Sequence, residues 1–171
     1  SIALSPAIYT RLSYDALRDL APVVQTATVP MVLAVNPSVP VHDVKGFVEH
    51  LRARPNALSF GSSGTGNVTH LTATMILRSQ GIEAVHVPYR GSAPALMDAI
   101  AGQVQFVTDT VNSALPLIRE GKLRALAVTS PKRLGLLPEV PTIAETIIPG
   151  FEAGAWQGIM VPARTPRPVI D

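Results

Sequence analysis

Leu58-Ser59-Phe60-Gly61-Ser62-Ser63-Gly64-Thr65-Gly66-Asn67-Val68-Thr69-His70 is a short apolar run that opens into a loop of glycine and hydroxyl residues and leads directly into a helical pattern. That order, strand to glycine loop to helix, suits capture of an anion. Glycines let the backbone approach a ligand closely, hydroxyls add hydrogen bonds, and the free N–H groups of a first helical turn favour negative charge. No Gly-Lys-Ser/Thr follows, as a nucleoside triphosphate site would require. Nor is there a Gly-x-Gly-x-x-Gly fingerprint, since Gly64-Thr65-Gly66 continues into Asn67 and then Thr69. The loop suits a carboxylate or another small anion; the alternative is a glycine-rich strand-to-helix turn with no ligand.

The same unit repeats on either side. Residues 21–35 form an extended Val/Thr/Ala segment ending in Met31-Val32-Leu33-Ala34-Val35, which predicts a buried strand. Val44, Phe47, Val48 and Leu51 predict a helix over 43–53, broken by Pro55-Asn56. Leu58–Phe60 is the next strand. The helix after the glycine loop carries Val68, Leu71, Met75 and Ile76 and stops at Gly81. Ala84–Val87 is a strand, Pro88–Gly91 a turn, and Ser92 the expected N-cap of a helix carrying Leu96 and Ile100, with Pro94 in its first turn. Val104–Val107 is a strand that meets the next helix (Val111, Leu115, Ile118) at a Thr108-Asp109-Thr110 junction, and Gly121 ends that helix. Leu123–Thr129 is apolar enough for a strand covered on both faces of a parallel sheet. Thr142-Ile143-Ala144-Glu145 has capping-box spacing, and residues 151–161 predict a bulged or extended return strand containing Trp156. Strands alternating with amphipathic helices give an α/β fold with a mostly parallel sheet flanked by helices.

Composition narrows the function. Of 171 residues, 47% are hydrophobic and 15% charged, which argues for an ordered core, and no apolar run has the length of a membrane span. The net charge is only +2, and the 14 Lys and Arg are dispersed, so nucleic acid is a poor partner. With no cysteine there is neither a disulfide nor a thiolate metal site, which fits an extracytoplasmic bacterial protein. The chain begins at Ser1 rather than Met and stops at Asp171 just after Pro166 and Pro168, so a fragment of a longer, processed protein is expected.

In an open α/β sheet, ligands bind beyond the carboxyl ends of the strands. Three polar loops fall there: Gly61–Asn67, Tyr89–Ser92 and Thr108–Asn112. Each ends on a helix N-terminus, so together they make an electropositive pocket without a lysine cluster. Arg90 would add a charge-assisted contact or stand solvated; Asp109 would cap its own helix or accept from a ligand amine or water. No histidine pair has metal spacing, and no metal or other cofactor is expected. Gly61-Ser62-Ser63-Gly64 lacks the register of a Gly-x-Ser-x-Gly nucleophile elbow, His70 suits packing or capping better than proton transfer, and Trp156 suits core or cleft wall.

Two runs carry a specific resemblance: Phe60-Gly61-Ser62-Ser63-Gly64-Thr65-Gly66-Asn67-Val68-Thr69-His70-Leu71 and Val87-Pro88-Tyr89-Arg90-Gly91-Ser92-Ala93-Pro94-Ala95-Leu96. Tyr14–Val23, Gly121–Ser130 and Leu137–Thr142 extend it over essentially the whole chain. The sequence resembles the Bug/TctC family of extracytoplasmic solute receptors that serve tripartite tricarboxylate transporters. That resemblance implies a two-lobed receptor of the periplasmic-binding-protein type II kind, no enzymatic reaction, membrane permease subunits as partners, and a small carboxylate as ligand. The family's ligands include dicarboxylic amino acids, di- and tricarboxylates and aromatic carboxylates. It further implies that residues 1–30 are the end of a first lobe, 31–36 a crossing strand, 37–155 the second lobe, and 156–171 the return to the first. The family's second-lobe ligand loop maps onto Ser62, Ser63, Gly64, Thr65, Gly66 and Asn67, and the loop holding Thr108 and Asp109 contributes as well; Arg90 joins this candidate set on its placement in the Tyr89–Ser92 loop alone. Family members commonly have Phe-Asp-Asn where this chain has Thr108-Asp109-Thr110, a departure at that loop. The alternatives are an α/β enzyme of small-anion chemistry, using the glycine loop as an oxyanion cradle and requiring a base beside Ser63, and a ligand-sensing module for signalling.

Overall fold

The computed structural model describes residues 2, 4–8 and 10–170; Ser1, Ala3, Tyr9 and Asp171, which belong to the two end segments expected from the sequence, lie outside the described residues. In chain order the elements are α1 (Ser5–Ile8), α2 (Ala16–Asp19), β1 (Leu20–Val35), α3 (Val44–Ala53), β2 (Ser59–Ser62), α4 (Val68–Gln80), β3 (Val85–Pro88), α5 (Ser92–Ile100), β4 (Phe106–Thr110), α6 (Val111–Arg119), β5 (Arg124–Val128), α7 (Ile143–Thr146), β6 (Gly154–Pro162) and α8 (Arg167–Ile170).

Five strands line up as β3-β2-β4-β1-β5. β2 is parallel to β3 and β4, whereas β1 runs antiparallel to both β4 and β5. Four of the five therefore point the same way, and β1 is inserted against them. The expected parallel ladder around Leu123–Thr129 is corrected accordingly: β5 pairs with β1, antiparallel, and its apolar run follows from cover on both faces rather than from a parallel neighbour. Cover is supplied by two packed layers. Leu33, Val35, Phe60 and Phe106 face Phe47 and Leu51 of α3, Ile76 and Leu77 of α4, and Ile143 of α7. Val32, Ala34 and Val107 face Leu96 and Ala99 of α5 and Val111 and Ala114 of α6. The alternation along Val32–Val35 places successive side chains in opposite layers.

β1 has two lives. From Leu20 to Pro30 it pairs only with β6; from Met31 to Val35 it lies between β4 and β5. Most of Ala21–Ala27 is exposed, whereas Met31–Val35 is fully buried. The ribbon with β6 contains two bulges. The register steps from Pro22↔Met160 to Val24↔Ile159 and from Gln25↔Gly158 to Ala27↔Gln157, leaving Val23 and Thr26 as extra residues. The bulges thus lie in β1 rather than in the return strand. At the change of partner sits Pro30, which has no N–H to leave unpaired. Thr129, wholly buried after β5, fastens the next residue: its hydroxyl accepts from the Met31 amide at 2.8 Å, its own amide donates to the Met31 carbonyl at 2.9 Å, and its hydroxyl donates to the Ala153 carbonyl ahead of β6.

Local chemistry sets the remaining boundaries. Gly81 ends α4 in the left-handed conformation (φ 61°), with its amide bonded back to the last turn. The capping box of α7 forms, with the Thr142 hydroxyl accepting from the Glu145 amide and the Glu145 carboxylate from the Thr142 amide. Ser92 differs from expectation. Gly91 (φ 120°) precedes α5 without a side-chain cap, and Ser92 is the first helical residue.

Replacing Thr129 by Val keeps the shape and removes the hydroxyl, leaving the buried Met31 amide and Ala153 carbonyl without that partner. We expect Thr129→Val to lower unfolding stability by about 1–3 kcal/mol in chemical denaturation; a change within a few tenths would show that Thr129 does not secure the strand exchange.

Candidate functional site

β2, β3 and β4 are parallel, so their carboxyl ends gather on one edge of the sheet, and the glycine loop leaves from the middle strand of the three. Gly64 (φ 130°) and Gly66 (φ 76°) hold backbone conformations that side chains resist, which bends the loop back onto the start of α4. Gly61 is needed for a different reason: a Cβ there would stand 3.2 Å from Val104 and 3.3 Å from the Tyr89 ring. Tyr89 is packed close because its amide extends the β2–β3 pairing to the Ser62 carbonyl (2.9 Å) and its hydroxyl donates to Asp98 (2.7 Å). Burial, and then this hydrogen bond, push the Tyr89 phenol up to about 12.

The loop's polar groups largely turn inward. Thr69, buried in the first turn of α4, accepts from the Ser63 amide through its hydroxyl (2.9 Å), and the two hydroxyls meet at 2.8 Å. The Ser62 hydroxyl is buried and lies 2.7 Å from His86 Nε2. The Gly66 amide donates to His70 Nδ1 (3.1 Å), and Asn67 caps α4 by accepting from the Val68 amide (2.6 Å). Among the described residues, the exposed Thr65 side chain and the Asn67 Nδ2 amide carry no internal partner, so these are the loop's outward-facing polar groups.

The predicted partners from β3 and β4 divide. Thr108 is wholly buried and its hydroxyl donates to the Thr69 carbonyl, which ties α4 to β4. Asp109 is also buried. Its Oδ1 accepts from the Ser92 hydroxyl (3.0 Å) and the Thr110 amide (2.7 Å), so it joins the start of α5 to the end of β4 and does not make the expected side-chain cap of α6, whose N-cap is Thr110. Thr108-Asp109-Thr110 belongs to β4 itself, and α6 follows with no loop between. Arg90 is exposed and joins no ion pair or hydrogen bond among the described residues.

Two features escaped the sequence reading. His70 and His86 stack face to face at 4.0 Å, and Phe60 and Phe106 continue the stack below them. The sequence carried only the one-turn spacing from Gly66 to His70; setting Phe60 opposite His86 is the work of the strand register. The second feature is a cavity of about 560 Å³ beside the loop, between the N-cap Asn67, Leu71 and Met75 of α4, and Gly154, Trp156 and Gln157 of β6. Of the predicted site residues it touches Asn67 alone, and Trp156, half exposed, forms its wall. Among the described residues no group of three His, Asp or Glu side chains is placed to hold a metal ion, and no helix is long and apolar enough to cross a membrane.

Residues 1–171 match the family model described as tripartite tricarboxylate transporter family receptor. A protein from the tcbD-tcbE intergenic region of Pseudomonas sp. strain P51 is 43% identical over 164 residues, 95% of this chain and 49% of that protein. Among solved structures, R. palustris Rpa4515 with adipate superposes with a TM-score of 0.89 at 37% identity, covering 95% of this chain and 55% of the other. MatC from Rhodopseudomonas palustris with bound malate superposes with a TM-score of 0.88 at 30% identity, covering 98% and 57%. The chain spans about half the length of the curated relatives it matches.

Burial holds the Asp109 carboxyl above the usual carboxylate range, against smaller opposing effects of its bonds from Ser92 and Thr110. A raised folded-state value means that stability is greatest below the unfolded-state value and falls as pH rises through the folded one, so the charged form of this side chain opposes folding. Asn keeps the acceptor and removes the charge. Asp109→Asn is expected to melt at or above the parent temperature at neutral pH, and Asp109→Leu, which strands Ser92 and Thr110, to melt several degrees lower; a large drop in the Asn variant contradicts this role.

Proposed function

The chain belongs to the tripartite tricarboxylate transporter receptor family, and from that premise we propose that it is the second lobe of an extracytoplasmic receptor that captures a small carboxylate and delivers it to membrane permease subunits. The observation that carries this reading is the glycine loop. Gly64 and Gly66 bend it, Thr69, His70 and His86 hold it from beneath, and Thr65 and Asn67 remain free to face an anion at the helix N-terminus. The ligand is a dicarboxylic amino acid, a di- or tricarboxylate, or an aromatic carboxylate. Relatives solved with adipate and malate put dicarboxylates first. β1 changes partners between Pro30 and Met31 and β6 starts at Gly154, which supports assigning 31–36 as the crossing strand, 37–155 as the lobe, and the remaining ends to the first lobe. Closing of two lobes on the ligand would bury its charge among fixed donors, and the closed form is what a permease would recognise.

One contact favours an enzyme by distance alone: the Ser62 hydroxyl beside His86. A nucleophile must reach its substrate, and Ser62 is only 1% exposed. Its base would also need an orienting acceptor, and among the described residues no carboxylate is hydrogen-bonded to His86. Binding without reaction is the better account.

A thermal-shift screen of the intact receptor containing this chain, against mono-, di- and tricarboxylates, acidic amino acids and nicotinate-like acids with phosphate and sulfate as controls, is expected to give a selective rise with one carboxylate class and the compound recovered unchanged. No response, or conversion of the compound, would overturn the proposal. Gly64→Val and Gly66→Val each place a branched side chain at positive φ, a strain of roughly 1–2 kcal/mol, and are expected to abolish that shift while the unliganded protein still folds, melting only several degrees lower. Unchanged affinity in both would defeat the loop assignment.

A further inference from the structure

The histidine pair beneath the loop is unused by the binding proposal, yet each ring makes one hydrogen bond to the loop. His70 reaches it from α4 and His86 from β3, and the rings stack at 4.0 Å and 20°. Stacked rings direct their nitrogens along parallel planes rather than toward a common point, so the pair does not suit joint ligation of a metal ion. The two bonds differ in a way that matters. Gly66 donates its amide to His70 Nδ1, so this nitrogen must be unprotonated and the ring neutral. His86 Nε2 faces a hydroxyl, which can either donate or accept.

We propose that His70 is the positioning residue of the glycine loop, and that protonation of the stacked His70–His86 pair releases the loop, so that the lobe holds its anion at neutral pH and loosens its grip in mild acid. The loop-release step is independent of the ligand; the loss of anion affinity rests on the carboxylate reading. When His70 gains a proton, Nδ1–H points at the Gly66 N–H, donor against donor, and the bond is lost. His86 can take a proton and still donate to Ser62. A second proton then sets two positive rings face to face, a like-charge contact that each ring opposes in the other. His70 is thus the ring whose titration breaks the latch. The groups facing the rings are Phe60 of β2 on the stack, and Asn56, Arg78 of α4 and Glu83 before β3 around a shared surface cavity. Among the described residues, neither Arg78 nor Glu83 pairs with a ring, and Glu83 is engaged by Asn56. Burial and the neighbouring ring, rather than an acidic group, set the direction in which both rings are shifted.

Burial moves both rings below the ordinary histidine range, and His70 lowers His86 further. The sign follows: with folded-state values depressed, the stabilisation of the neutral pair is complete above the unfolded-state value and is lost as pH falls through the folded one. Release therefore belongs to the acid side of the ordinary imidazole range.

The test uses the intact receptor, first without ligand. Imidazole nitrogen shifts at about pH 8 should report His70 Nδ1 as an unprotonated acceptor, and the Gly66 amide resonance should move with the His70 titration. Asn places Oδ1 where Nδ1 stood and does not titrate, so His70→Asn should keep the Gly66 amide in its neutral-pH position throughout, while His70→Leu should lose it at every pH. In calorimetric titrations with adipate and malate from about pH 8 to pH 5.5, the parent should weaken a few-fold more than His70→Asn, whose remaining pH dependence is that of the ligand's own carboxyls, and His70→Leu should be weak throughout. A Gly66 amide indifferent to His70 titration, or a His70→Asn protein as pH-dependent as the parent, overturns the latch. Absence of binding to any carboxylate, with the amide titration intact, supports the latch and counts instead against the carboxylate reading.

Discussion

Everything in this chain is arranged around the point where β1 exchanges one partner strand for two. A single strand runs from an exposed two-stranded ribbon into the interior of a five-stranded sheet, and the exchange happens across the peptide unit joining Pro30 to Met31. Backbone groups buried at such a junction need partners. Proline removes one donor, and Thr129 serves the next amide and carbonyl together with the carbonyl of Ala153. Because β1 lies between β4 and β5, its register fixes both ladders, and through β4 it fixes β2 and the glycine loop. The site is therefore a consequence of strand placement as much as of its own residues.

The loop is built more like a small folded core than like an open cradle. Its serines and one glycine amide are engaged by Thr69, His70 and His86, and Thr108 fastens the helix turn behind it. Ordering is thus largely accomplished by folding, so a ligand has less conformational entropy to remove, which is how preorganised sites gain affinity without added contacts. The same inward bonding explains why so little of the predicted residue set faces outward. Ser62, Thr108 and Asp109 are bonded inward, whereas Thr65 and the Asn67 amide nitrogen are not.

Much of this was legible in the sequence because the decisive signals are local. The helix over 44–53, the stop at Gly81, the capping box at Thr142–Glu145 and the alternation of strands and helices all follow from nearest-neighbour chemistry. What was not legible is non-local. Nothing within Leu123–Thr129 says that its ladder partner is a strand almost a hundred residues earlier and running the other way. Ser92 carried every mark of an N-cap, and tertiary structure gave its hydroxyl to Asp109 instead. The histidine stack needed the register of β2 against β3, which hydrophobic pattern alone does not supply. Placement of Asn67 at a cavity wall with Trp156 likewise depends on where β6 returns.

The two bulges of the β1–β6 ribbon have a mechanical meaning. β1 is one unbroken strand, so the ribbon and the sheet share one continuous shaft rather than being joined by a loop. Val23 and Thr26 interrupt the hydrogen-bonded rungs twice within a few residues, and bulges bend a strand and add twist. Gly158 stands opposite that stretch, where a Cβ would meet the Val24 carbonyl at 2.9 Å, so the two backbones are in close contact where the rungs are interrupted. A torque applied to the outer end of the ribbon would be absorbed as rotation at these bulges, while the segment beyond Pro30, clamped on both sides, would turn as part of the sheet. Compliance is thus concentrated in one stretch, and the glycine loop is carried by the stiff end of the lever.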